Sequence, residues 1–486
     1  MALNNSQYTF KTFRFMKKIL LIIPLALLMS IQLTAQVAKT VNCTAGGLHT
    51  RLTRSDLETV TDLTITGSVD ARDFVIMRDS MTSLASVDLS SCTIMAYTGT
   101  EGPEDYGVYP ANAIPEFAFY YNPSSGSGKQ SLKSFTFPSV ITAISTNAFR
   151  GTGLLSVTIP STVTSIGDAS FSLCTKLTAI NIPSSVTSIG RYAFSDCIGS
   201  NSINISAMLT SIGDFAFTNC SGLIQVDAGN PNYSSLEGVL YDKAKTKLIT
   251  CPISKTGTLT IPSLVTTIGN TSFYGCTGLI SVLIPTSVKT IEESAFMYCT
   301  GLYSVNIPSL VTTLGAGAFQ FCTGLTSVTI PSSVTAIGGV AFYQCSKLTS
   351  IFANSITPVD LTSSASVFAG VNTTTCTLYV PTGSNSAYQA ANQWQDFVNI
   401  SNVVTNTTTL SREYIKLYPN PVKDNFTVSG LEGMASVTVS DLNGKTILAG
   451  QYGGNERINA SSVPKGWYIV KVKDHTGVVV RKMIKE

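Results

Sequence analysis

Charge is scarce in this chain: Asp, Glu, Lys and Arg make up 12% of its 486 residues, about half the share of an ordinary soluble domain. So sparse a charged surface suits a stack of units that shield one another better than it suits a free-standing globule. Histidine is nearly missing, with only His49 and His475. Residues 50–474 alone therefore cannot supply a Ser–His or Cys–His pair, nor a histidine-based metal site. Carboxylates are no better placed. Eight acids lie scattered between 153 and 347, which leaves no two-carboxylate mechanism, and Glu292-Glu293 reads as a solvated turn. The chain is accordingly expected to be no enzyme, with no catalytic residue, no metal ligand and no cofactor. A basic stripe is lacking too. The formal charge of +3 arises at the ends: four bases and no acids precede residue 36, and eleven bases face seven acids from Ser411 onward. With the body acidic on balance, a nucleic-acid partner is not expected.

Beyond residue 35 no apolar run reaches the roughly 20 residues a bilayer span requires, so no transmembrane span is expected in the mature chain. Before that point Lys17-Lys18 leads into the short apolar stretch Ile19–Leu33, and Leu33-Thr34-Ala35 ends on a small residue. A basic segment, a short apolar core and a small cleavage residue describe a secretory signal. Met16 is read as its start, and 1–35 as extension plus signal peptide. No cysteine follows directly, so a lipoprotein anchor is not expected.

What the chain has in abundance is repetition. Phe171, Phe194 and Phe217 are spaced by 23, as are Phe273, Phe296, Phe319 and Phe342. A cysteine follows each by three positions (Cys174, Cys197, Cys220, Cys276, Cys299, Cys322, Cys345), and Ile-Pro pairs recur in step from Ile159-Pro160 to Ile330-Pro331. One unit reads I-P-S-x-V-T-x-I-G-x-x-A-F-x-x-C-x-x-L-x-x-V-x, and a period in this range means a solenoid. Alternation in Leu325–Ile330 predicts a short strand with one face inward. Proline stops it, Val334 and Ile337 make a second inward step, and Gly338 is expected to free the backbone for the turn that follows. A single coil cannot bury its Phe; stacked coils share one core.

The interval from Phe217 to Phe273 exceeds the period by 33 residues. The extra sequence, near 227–257, holds Asn230-Pro231-Asn232-Tyr233 and Gly238–Ile249, and predicts a hairpin projecting from the stack. Residues 36–110, with Leu63-Thr64-Ile65 and Leu84-x-x-Val87-x-Leu89-x-x-Cys92, are expected to form an N-terminal cap. The repeats proper run over 111–354, and 355–400, with Trp394, breaks the period as a C-terminal cap.

The cysteine column admits two readings. Stacked positions about 4.8 Å apart fall within reach of disulfides; parallel side chains without a privileged pairing favour a buried thiol ladder. Extra aromatics follow the core Phe at Tyr274, Tyr298, Phe321 and Tyr343. The outward strand position carries Asn306 and Phe352, with Tyr303 near it. Stacking arrays these residues in rows, which either cover the rim of the core or form a binding surface for a protein or glycan; the seven are the predicted ligand-binding residues.

The units quoted above, the Asn-Pro-x-Tyr insert, and Leu378-Tyr379-Val380-Pro381 with Tyr388 and Trp394 resemble the BspA-like leucine-rich-repeat family. The resemblance implies an extracellular adhesion or ligand-binding protein.

Past the linker 401–410 the period vanishes. Segments such as Phe426-Thr427-Val428 and Trp467–Val472 alternate as short strands, and Asn443-Gly444 signals a hairpin, so 411–486 is expected to be a small all-β immunoglobulin-like sandwich. Tyr418-Pro419-Asn420-Pro421 with Asp424, Asp441–Lys445 including Gly444, Lys465-Gly466-Trp467-Tyr468 and the terminal run containing Lys482 resemble the type A C-terminal sorting domain of type IX secretion substrates. That resemblance implies the type IX machinery as partner and passage across a Gram-negative outer membrane to the cell surface or medium. The expected function is adhesion or recognition through the solenoid, with an unidentified extracellular protein or glycan as ligand. A passive surface-layer spacer and a non-catalytic accessory to a secreted enzyme stand as alternatives.

Overall fold

The computed structural model describes residues 36–104, 107–122, 127–403, 416–429, 435–442, 445–453, 456–474 and 477–486. The leader, the residues Thr405–Thr409, Asn443-Gly444 and His475 lie outside them.

Most coils of the repeat contribute two strand positions, and each position builds parallel ladders. The longer strands begin with Ala38–Cys43, Asp62–Val69, Ser86–Ile94 and Ser134–Thr136, paired in that order. The shorter ones, at the Val-x-x-Ile step, run Ala113–Ile114, Ala143–Ile144, Ser165–Ile166, Ser188–Ile189 and Ser211–Ile212. Together the coils form a β-solenoid of about 15 turns. The expected N-terminal cap is thus a continuation of the ladder. Its coils carry the helices Arg54–Thr59 and Ala71–Val75, each opened by a capping box, Thr53 with Asp56 and Asp70 with Asp73. In the repeats proper, tight turns take the place of helices.

Hydroxyls hold the coils together where charge is missing. The threonine of each Val-Thr step donates its backbone N–H to the same carbonyl in the preceding coil, as Thr187 to Thr164 and Thr210 to Thr187, both 2.9 Å. Their Oγ1 atoms donate to those same carbonyls at 3.3 and 2.9 Å. Inside, Phe119, Phe149, Phe171, Phe194 and Phe217 stack face to face, with Phe171 and Phe194 5.2 Å apart and 2° from parallel.

The glycine of the Ile-Gly step serves another purpose than the one expected. Gly338 is not among the residues with positive φ. A Cβ there would lie 2.4 Å from the Ala316 nitrogen of the coil before. Glycine is required because the backbones approach too closely for a side chain.

The insertion does not project. Tyr233–Leu236 and Val239–Asp242 pair antiparallel, and the third strand, Lys247–Thr250, joins the short ladder in parallel with Thr267–Ile268. That ladder continues through Thr290–Ile291, Thr313–Leu314 and Ala336–Ile337. The hairpin is a partition: Leu240 belongs to the core of the first half and Val239 and Tyr241 to that of the second. Its Asn-Pro-x-Tyr motif explains the docking. The buried Asn230 amide donates to Ser206 O and Leu209 O at 2.8 and 3.0 Å, and the Tyr233 hydroxyl accepts the Ile212 N–H at 2.9 Å.

Past the partition a second Phe stack runs from Phe273 through Phe296, Phe319 and Phe342 to Phe368. Trp394 and Phe397 close it. The Trp394 indole N–H donates to Val359 O at 2.9 Å, so the largest ring at the open end is fully paired.

In the C-terminal module the described strands form two antiparallel sheets. One holds Lys416–Tyr418, Asn425–Ser429 and Arg457–Asn459; the other holds Thr446–Tyr452, Ala435–Ser440, Gly466–Asp474 and Gly477–Lys485. Phe426, Val437, Val470 and Met483 are buried in one core.

Candidate functional site: the ring-bearing turns

The turn around each core Phe places two residues in the left-handed region. One is two positions before the ring, as Tyr192 (φ 54°) and Phe215 (φ 62°); the other is two positions after it, as Tyr298 (φ 62°) and Phe321 (φ 58°). Left-handed backbone costs a bulky residue about 1–3 kcal/mol, so aromatic rings here are set against local preference.

Four of the seven predicted ligand residues come together in these turns. Tyr274 meets Tyr298 edge-on at 5.5 Å, Tyr298 stacks on Phe321 at 4.6 Å and 1°, and Phe321 meets Tyr343 edge-on at 5.5 Å. Each ring is half-buried, which leaves an apolar strip open across four adjacent coils. The other three stand on the long ladder. Tyr303 is 56% exposed beside Ile280 at 54%, bonded to it through its N–H. Asn306 pairs with Thr329, Thr329 with Phe352 and Phe352 with Tyr379. Phe352 and Tyr379 stack at 4.7 Å, so Tyr379 belongs to this row as well. The seven residues therefore form two rows on two segments of the coil rather than one site.

Two cavities open where the partition interrupts the stack. The larger, about 600 Å³, is lined by Arg150, Tyr192, Asp196, Phe215, Tyr274 and Glu293 among others. The smaller, about 320 Å³, shares Phe215, Thr218 and Asn270 with it and includes Lys247 and Glu292. Glu292 stands where most repeats have glycine, and its carboxylate accepts from Lys247 Nζ at 2.9 Å and Asn270 N–H at 2.8 Å. The expected solvated pair is split: Glu292 fastens the inserted strand, and Glu293 is exposed at the larger cavity. Tyr192 and Phe215 were not foreseen as site residues.

All eleven cysteines are buried and unbridged. The thiols of the column have a defined partner: Cys299, Cys322 and Cys345 each donate at 3.1 Å to the carbonyl of the core Phe one coil earlier, Phe273, Phe296 and Phe319. Burial pushes Cys174 up to about 11 and Cys345 to about 12, which removes the thiolate that nucleophilic or metal chemistry needs.

In the C-terminal module Asn420 fastens the motif to the last strand. Asn420 Nδ2 donates to Lys482 O at 2.8 Å, while Asn420 Oδ1 accepts the Ile484 N–H at 2.9 Å. Asp424 O accepts the Ala460 N–H at 2.7 Å. Pro419 and Pro421 follow cis bonds, Tyr418 is 74% exposed, and Gly466 has φ 152°. Gly444 lies outside the described residues. No helix among the described residues is long and apolar enough to cross a membrane.

Comparison with known proteins agrees with this architecture. Residues 112–246 and 250–377 match the BspA type leucine rich repeat region in six copies, and residues 416–486 match the secretion system C-terminal sorting domain, which marks an exported protein handled by type IX secretion. Among solved structures, a leucine rich cell surface protein from Faecalibacterium prausnitzii is similar at 27% identity and TM-score 0.48, over 72% of this chain and 80% of that one. A leucine-rich repeat protein from Eubacterium ventriosum is similar at 25% identity and TM-score 0.41, over 53% and 88%. One from Bacteroides ovatus is similar at 22% identity and TM-score 0.34, over 65% and 82%. No curated protein matches the chain. With more than half of its length inside the repeat match, the chain belongs to the BspA type leucine rich repeat family.

Proposed function

We propose that the chain is a non-catalytic adhesion or recognition protein. It crosses a Gram-negative outer membrane by way of its sorting module and binds an extracellular protein or glycan along the solenoid. On this reading 36–400 is the binding unit, 401–410 a linker and 411–486 an immunoglobulin-like sorting unit. The observation that carries it is the continuous row Tyr274–Tyr298–Phe321–Tyr343. Its two central members, Tyr298 and Phe321, occupy left-handed positions ill suited to them, and half-buried aromatic rings are among the side chains that dominate recognition surfaces. A passive spacer gains nothing from rings in strained positions.

The test is binding of the purified full chain to immobilised extracellular-matrix proteins and a glycan array. Saturable binding is expected, weakened about tenfold or more by Tyr298→Ala or Phe321→Ala with the circular-dichroism spectrum unchanged. No binding to either set, or binding indifferent to both substitutions, contradicts the reading.

A further inference from the structure

We infer that the larger cavity at the partition is a binding site for a neutral oligosaccharide. This deepens the proposal above and rests on it, since it names one ligand class and one place on the recognition surface.

The cavity follows from a break in the repeat. Up to Phe194 each core Phe donates its N–H to the next coil, as Phe171 to Ala193 and Phe194 to Ala216, and the pattern resumes at Phe273 to Ala295. Across the break the halves meet elsewhere: Ile253 N–H donates to Cys220 O at 2.9 Å, and the Thr218 and Thr271 hydroxyls lie 3.2 Å apart. The turns of the two halves consequently part around a space of about 600 Å³, within the range of small-ligand sites, about 300–1,000 Å³.

The residues facing that space differ from their counterparts elsewhere. Two positions before the core Phe, successive coils carry Asn147, Ala169, Tyr192, Phe215, Thr271, Ser294 and Gly317, all at positive φ. Apart from Phe117 in the coil of Phe119 (φ 55°), rings stand at this position only in the two consecutive coils at the cavity, and there they stack at 4.8 Å and 16°. Tyr192 remains 42% exposed. Tyr274 lines the cavity from the second half.

Between these rings stand groups of both signs. Asp196 is oriented by Asn219 Nδ2 at 2.7 Å and Ser195 Oγ at 2.8 Å. Arg150 is held over the Tyr120 ring at 5.0 Å and by Asn147 Oδ1 at 3.3 Å. Glu293 and several hydroxyls complete the lining.

A pyranose fits that combination. Its axial C–H face packs on the electron-rich face of an aromatic ring. Its hydroxyls donate to carboxylates and accept from a guanidinium, giving charge-assisted bonds without a charge on the ligand. A cationic peptide is the poorer match. Arg191 already lies 5.7 Å over the Tyr192 ring, and Arg150 faces the same space.

The experiment is isothermal titration of the full chain with neutral trisaccharides built from glucose, galactose or N-acetylglucosamine, with a lysine-rich peptide in parallel. At least one trisaccharide is expected to bind saturably. Phe215→Ala and Tyr192→Ala should weaken it about tenfold, and Glu293→Gln, at an exposed side chain that leaves the fold alone, about threefold. Tyr298→Ala, which removes a neighbour of the cavity ring Tyr274, should weaken it less than Phe215→Ala does, and Ile356→Ala, at an exposed side chain outside the cavity and both ring rows, should leave it within a factor of about two. Four outcomes overturn the inference: no trisaccharide binds; the peptide binds in place of the sugars; binding is untouched by Phe215→Ala and Glu293→Gln; or binding falls only with Tyr298→Ala. The last locates recognition on the ring row and so removes the cavity while leaving the proposed function standing; binding of no ligand of any kind removes both.

Discussion

At the scale of single residues, the repeat is a set of pairings between neighbouring coils. The cysteine is chosen because it is small enough for the interior and carries a donor that reaches the Phe carbonyl one coil back. Its spacing after Phe was plain in the sequence; its partner was not, because a hydrogen bond between units 23 residues apart leaves no local mark. Cys322→Ala removes the donor to Phe296 O and is expected to cost about 1–2 kcal/mol. Phe319→Ala empties a ring position stacked on both sides and is expected to cost about 3–5 kcal/mol. Shifts of the urea midpoint check the order. Equal effects, or a larger one at the cysteine, would contradict the packing described.

At the scale of elements, glycine illustrates two different demands. Gly338→Ala drives a Cβ to 2.4 Å from the backbone of the coil before and is expected to destabilise by about 1–3 kcal/mol through overpacking. Gly383 has φ +89° but open space around it, so Gly383→Ala meets only the conformational penalty, about 1–2 kcal/mol. Replacing each by D-alanine through semisynthesis separates the two: rescue is expected at 383 and none at 338.

The period, the strands and the core Phe column were legible in the sequence because side chains inside a stack obey strict spacing. The partition was not. Leu248 pairs with Ile268 and Lys247 with Thr267, a step of 20 where the repeat steps by 23, so the third strand of the insertion falls out of register with the motif that would have revealed it. The cavity was missed for a related reason: Tyr192 and Phe215 precede the core Phe, whereas the rings predicted for binding follow it. Their signal was present in the column that reads Phe, Asn, Ala, Tyr, Phe, Thr, Ser from Phe117 to Ser294, where two rings fall in consecutive coils.

At the scale of the whole molecule, a scarcity of charge makes buried thiols an important acid–base feature. Nine of the cysteines are raised above their ordinary value of 9.0, eight chiefly by burial and Cys276 chiefly by its side-chain hydrogen bond with Cys251 and then by burial, with Cys174 and Cys376 at about 11 and Cys345 at about 12. At about pH 8 and below these thiols are largely protonated folded or unfolded and hardly affect the balance. Above it the unfolded chain releases protons that the folded chain retains, so stability falls as pH rises from about 9 through about 12, by at most about 1.4 kcal/mol per pH unit for each thiol. Lys129, brought down to about 8 by burial, and Lys133, lowered chiefly by burial and then by Lys176, act in the opposite sense. The expected result is a melting temperature that is flat from pH 7 to about 8, begins to fall towards pH 9 and drops steeply above. A melting temperature that held to pH 11 would mean that the column is not buried as thiols.

Export and recognition meet in one measurable property, the adhesion of intact producing cells. Cells of a type IX-competent host carrying the full chain, a version ending before residue 416, or Tyr298→Ala/Phe321→Ala are applied to surfaces coated with matrix proteins or glycans, with surface levels read by antibody on unbroken cells. Adhesion is expected with the full chain, loss of surface signal and adhesion together in the truncated form, and loss of adhesion at undiminished surface signal in the double variant. Truncated protein still at the surface, or a double variant that adheres as well as the full chain at equal display, would contradict the proposed function.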